Sequence, residues 1–72
     1  MKVHFIPVIL LNQKCLIKVY ETDTNITYEI LDVYGEVDDY ININVSEDTV
    51  FYYINRYLNR NETNHLQSKQ IS

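Results

Sequence analysis

The sequence predicts an α+β fold: a four-stranded antiparallel sheet, a meander, with one C-terminal helix packed on one face. Three observations carry this. Apolar and polar residues alternate with period two through most of the first 45 positions. Short polar or glycine-marked segments separate the alternating runs, which favours antiparallel neighbours. After Ser46 the apolar spacing changes to three and four.

The first strand is Val3–Leu11, β-branched and apolar on both faces apart from His4. Pro7 cannot donate to a ladder, so it implies an edge position or a bulge. Asn12-Gln13-Lys14 then serves as a polar connection. The second strand, Cys15–Glu21, sets Cys15, Ile17 and Val19 against Leu16, Lys18 and Tyr20. Thr22-Asp23-Thr24-Asn25 reads as a turn, because Asp and Asn side chains bond nearby backbone. Ile26–Tyr34 is the third strand, ended by the only glycine, Gly35. Val37–Val45 has the cleanest alternation and reads as the fourth. Ser46 is a helix N-cap with Glu47 and Asp48 in the first turn. Val50, Phe51, Ile54, Tyr57 and Leu58 form one stripe of a helix from Glu47 to about Arg60. Residues 1–60 thus make a single domain, and 61–72 a polar, flexible tail.

The chain has 72 residues, one cysteine, one glycine and no tryptophan. A core of this size leaves roughly 3–5 kcal/mol of net stability. A single thiol excludes an internal disulfide, and His4 and His65 are too few for a structural zinc. Self-association is the remaining support. Ile17, Val19, Ile26, Tyr28, Ile30, Ile41 and Ile43 are expected under the helix. That leaves Leu16, Tyr20, Leu31 and Val33 on the other face as an oligomer interface, with Tyr40 beside them.

Charge is segregated along the chain. Between Lys18 and Arg56 there is no Lys or Arg across 37 positions, yet nine of the ten carboxylates fall there. A surface made only for solubility mixes both signs. A one-signed block beside tyrosines suits a protein partner with a basic surface, and Glu29, Asp32, Glu36, Asp38, Asp39 and Tyr40 are the expected contacts. The duller reading is a solvated surface. A cation site is disfavoured: Glu21-Thr-Asp23-Thr-Asn25 resembles the start of a calcium loop, but Ile26 replaces its glycine and Asp32 its bidentate Glu.

Other chemistry finds little footing. Glu36, Asp38 and Asp39 flank a turn without a nearby base, so no catalytic residues are expected. Cys15 reads as a buried, inert thiol, and a Cys15–His4 nucleophilic pair lacks an orienting third group. One glycine cannot form a phosphate loop, and the acidic middle repels a nucleic-acid backbone. No cofactor, metal, membrane or direct nucleic-acid partner is expected. The apolar start lacks a signal-peptide cleavage pattern and is too short to span a bilayer. With a lone thiol and three N-x-S/T triplets read as chance, the expected compartment is the cytoplasm. The Ile, Asn and Tyr richness resembles proteins of AT-rich genomes, phages and plasmids among them. The functional expectation is a small, acidic, non-enzymatic binding module, such as a phage or mobile-element inhibitor of a host protein. The alternative is a structural protein that self-associates through its uncovered sheet face as a homodimer or higher oligomer.

Overall fold

The computed structural model describes the backbone of residues 1–71 and the side chains of residues 1–59. Three strands, β1 (Lys2–Leu10), β2 (Gln13–Glu21) and β3 (Ile26–Leu31), precede two helices, α1 (Asp39–Asn44) and α2 (Glu47–Ile71). The sheet is antiparallel with order β1-β2-β3.

The expected four-stranded sheet with one helix is therefore corrected to three strands and two helices. The segment Val37–Val45 forms no strand. Only an isolated bridge, Leu31 to Val37, continues the sheet. The chain then turns into α1, and the reason lies in two side chains, Asp38 and Asn42. Asp38 caps the helix, its Oδ1 accepting from the Ile41 N–H at 3.1 Å. Asn42 sits one turn later and clamps the free edge of β3. Its Oδ1 accepts from the Ile30 N–H (3.1 Å), and its Nδ2 donates to the Ile30 carbonyl (2.8 Å) and to the Asp38 carbonyl (2.7 Å). One amide side chain thereby takes the place of a neighbouring strand residue. Val37, Ile41 and Val45 stand at four-residue spacing as well as at two-residue spacing, so the apolar pattern fits either element. In the helix Ile41 is fully buried, whereas Ile43 is 79% exposed and not under a helix as the strand reading required.

The hairpin between β1 and β2 is tighter than expected. Leu10 pairs with Gln13, and Leu11 and Asn12 both have positive φ, 50° and 62°. These are the conformations of a two-residue type I′ turn. Asn tolerates them, and Leu is disfavoured there. At the next turn the Thr22 N–H donates to the Asn25 carbonyl at 2.9 Å, as the sequence suggested. That bond fixes the alternation along the ladder: Leu16/Leu31 and Lys18/Glu29 exchange hydrogen bonds, and Ile17 turns its backbone to β1. On β1 the residues out of step with Ile6, including Pro7, point their backbone groups at solvent. Pro7 thus occupies an edge position where no N–H is required, without breaking the strand.

β3 ends at Leu31, earlier than expected, because Asp32 organises a loop. Its Oδ1 accepts from the N–H groups of Tyr34 (2.8 Å) and Glu36 (3.0 Å). Its own N–H donates to the Glu36 carbonyl at 2.7 Å, and Gly35 supplies the positive φ of 89°.

The core lies between the inner sheet face and the helices. Ile6, Leu10, Cys15, Ile17, Val19 and Ile30 meet Ile41 of α1 and Val50 and Ile54 of α2. Ser46 caps α2 through its Oγ, which accepts from the Thr49 N–H at 3.2 Å. The expected stripe of Phe51, Tyr57 and Leu58 packs at the margin of this core, and Phe51 meets Tyr28 edge-on at 5.5 Å. Tyr53 joins the core margin while Tyr52 faces out. The helix begins at the expected Glu47 and runs through Ile71. The side chains of Arg60, His65, Lys69 and the rest of the expected tail lie outside the described residues.

Two outcomes follow for stability. Replacing Asn42 with Ala leaves both edge groups of Ile30 without that partner, and urea unfolding should show a loss of about 1–3 kcal/mol. Leu11→Asn relieves the left-handed penalty at the hairpin and should raise stability by about 0.5–1 kcal/mol.

Candidate functional site

The outer sheet face is a grid set by register. Across β1, β2 and β3 the rows read Val3, Tyr20, Thr27; then Phe5, Lys18, Glu29; then Pro7, Leu16, Leu31. Ile9 and Lys14 continue it. The bridge to Leu31 places Val37 beside the third row, on the same side, because directly opposed residues share a face. Phe5 is 51% exposed, and Val3, Ile9, Val33 and Val37 are also exposed. Among the described residues no element packs on this face. A shallow groove of about 630 Å³ at the hairpin end is lined by Pro7, Ile9, Leu16 and Val33 and, from the inner side, by Cys15 and Tyr53.

Three of the four residues expected at an oligomer interface fall in this grid. Leu16 and Tyr20 are half-buried, and Leu31 is buried between its neighbours although it lies outside the main core. Val33 belongs to the loop after β3, not to a strand, and is exposed at the edge of the same groove. The β1 contribution of Val3, Phe5, Pro7 and Ile9 was legible only as an apolar run, since that strand shows no polar face.

The two charges in the middle of the grid are held in place. Lys18 Nζ lies 5.7 Å from the Phe5 ring centre and 5.1 Å from that of Tyr20. Glu29 Oε1 accepts from the Tyr20 hydroxyl at 2.8 Å.

The acidic residues expected to meet a partner take several roles. Glu29 lies on the outer sheet face. Asp32 and Asp38 spend carboxylate oxygens on backbone N–H groups. Glu36 and Asp39 are exposed along the same stretch of chain, with Tyr34 (88% exposed) and Tyr40 (62%) beside them. Tyr34, outside the set expected from the sequence, stands next to Gly35 in the loop after β3. Among the described residues the one carboxylate paired with a possible cation is Glu21, 3.0 Å from His4 Nε2. His4 also meets Tyr57 edge-on at 5.7 Å.

Catalytic and metal chemistry find no constellation among the described residues. No group of three or more His, Cys, Asp or Glu could hold a metal ion there. Cys15 pairs with Val8 and His4 with Val19, four residues along β2, so about 13 Å of strand separates them. No described helix is long and apolar enough to cross a membrane. No family model, no curated protein and no solved structure matches the chain.

Two groups, the buried Cys15 thiol and the half-buried Tyr28 phenol, have raised pKa values. Burial pushes the Cys15 thiol up, the nearby Asp38 charge adds to this, and a hydrogen bond with the Leu10 backbone opposes it. Burial, then the Glu47 charge, raises the Tyr28 phenol. Both groups are neutral when protonated, so the unfolded chain releases these protons first as pH rises. Their contribution is intact below the unfolded thiol value of 9.0 and is lost progressively above it. Denaturation midpoints should fall between neutral pH and about pH 10.5. Cys15→Ala should remove the earlier part of that fall and Tyr28→Phe the later part. In the native protein the thiol should resist a disulfide reagent that labels it at once in urea.

Proposed function

We propose that this protein is a small, non-enzymatic binding module that engages a protein with a basic surface. The contact region is the stretch from Asp32 to Tyr40. The observation that carries this reading is the pairing of preorganisation with unneutralised charge. The Asp32 hydrogen bonds fix the loop, so Tyr34 and Glu36 are displayed with little left to order on binding. No described Lys or Arg lies within ion-pairing distance of any described carboxylate. Tyr34 and Tyr40 add rigid amphipathic area next to Glu36 and Asp39. Such a surface speeds encounter with a cationic partner and selects against acidic ones. Inhibition of a host protein, by a phage or mobile-element product, is one use of this chemistry. Asp32 and Asp38 act here as scaffold, and the contacts fall to Glu36, Asp39, Tyr34 and Tyr40. A second reading, self-association through the outer sheet face, is favoured by the exposure of Phe5, Ile9 and Val33 on that face.

Capture of partners from the native host by the tagged chain tests the first reading. Bound protein should fall steeply as salt rises. Glu36→Lys with Asp39→Lys should weaken capture by roughly tenfold or more while the chain stays folded. Capture that ignores both salt and the double reversal would refute the acidic surface.

A further inference from the structure

We propose that the outer sheet face is covered by a second copy of this chain, in a two-fold dimer whose axis runs parallel to the strands between β2 and β3. This goes beyond the binding of a basic partner and rests on different residues.

The outer face is self-complementary in register. A face that meets its own copy must carry patterns that match after a two-fold rotation. Two sheets pack with strands nearly aligned and about 10 Å apart, so facing side chains meet at mid-plane. An axis along β2 would set Lys18 against the partner copy's own Lys18, which is repulsive. An axis between β2 and β3 exchanges the two columns instead. Lys18 and Glu29 are direct cross-strand neighbours, so each Lys18 then faces the Glu29 of the other copy, twice over. In the next row Leu16 faces Leu31, and beyond them Pro7 faces Val37. The row Pro7, Leu16, Leu31, Val37 is apolar from edge to edge, and the row of Lys18 and Glu29 is complementary under the same operation; Lys14 lies outside both, at the hairpin end of the face. Lys18 is held by Phe5 and Tyr20, and Glu29 by the Tyr20 hydroxyl; neither is tied up in an ion pair.

A basic partner protein would not use this face well, because Lys18 stands at its centre. A membrane surface would be opposed by Glu29 in the same row. A second copy answers both charges at once.

Sedimentation of the purified chain at micromolar concentration should show a dimer. Lys18→Glu and Glu29→Lys should each remain folded by circular dichroism and each weaken the dimer by at least about tenfold, since each sets like charges together at two places. Mixing the two variants should restore a dimer. In the mixed pair every contact is again opposite in sign, whereas a merely intrachain effect would not respond to mixing. If either variant fails to fold, zero-length carbodiimide coupling of a mixed heavy- and light-isotope wild-type sample replaces the test. Linked Lys18–Glu29 peptides of mixed isotope are then expected. A monomer at high micromolar concentration, a dimer indifferent to both reversals, failure of mixing to restore it, or only same-chain links would each overturn the proposal. None of these results bears on the acidic surface, which is read by the salt-dependent capture.

Discussion

The free edge of β3 closes at Ile30, and most of the architecture follows from how it closes. A fourth strand would have paired there. Instead Asn42 offers an acceptor to the Ile30 N–H and a donor to its carbonyl, while the Asp38 N–H adds a third bond to the same carbonyl at 2.9 Å. The edge is satisfied by side chain and turn, so no ladder is needed. The same geometry starts α1 and drives Ile41 into the core. A sheet held to three strands with two helices on one side has its other side bare. The exposed grid around Lys18 is that bare side, bounded at its β3 edge by the Ile30 clamp.

The carboxylates show how so small a chain uses one residue type for two ends. Asp32 and Asp38 turn the backbone at two successive sites, replacing bonds that a longer protein would draw from further strands. Their charges remain on the surface while their oxygens are engaged. Between and beside them Glu36 and Asp39 stay exposed, carried by a loop that is already ordered. In the proposed reading, recognition and folding therefore share the nine residues from Asp32 to Tyr40. On the outer sheet face Lys18 and Glu29 stand side by side among mostly apolar residues, with Lys14 toward the hairpin end. In the proposed dimer Lys18 and Glu29 would set orientation, and the apolar row beneath them would supply the burial.

Much of this was legible in the sequence. The strands at Ile17 and Val19 and at Ile26–Ile30 show period two, and their inward and outward sets fall where alternation puts them. The α2 stripe of Val50, Ile54 and Leu58, its Ser46 cap and the split between Tyr52 and Tyr53 follow from helical spacing. The stretch from Asp32 to Val45 was not legible, for a physical reason. Residues two apart and four apart coincide at Val37, Ile41 and Val45, so the period cannot separate strand from helix. The deciding groups are Asp38 and Asn42, and Asn42 acts through Ile30, twelve residues away. A single sequence does not display that partnership. Asp32 likewise looked like a surface charge because its contacts are with backbone, which carries no sequence signature. The two surfaces proposed to bind were readable as residue types, Tyr and carboxylate on one side and Leu and Val on the other. Their division into a rigid acidic loop and a self-matching grid needed the register.

Nuclear magnetic resonance on the Asn42 side chain tests the central constraint most directly. The account predicts helical Cα shifts over 39–44, contacts from the Asn42 amide protons to the Ile30 backbone, and slow exchange of the Ile30 amide although it lies at a sheet edge. Extended-chain shifts across 37–45, with cross-strand contacts from this segment to β3 in place of the Asn42 contacts, would contradict it and return a fourth strand to the sheet.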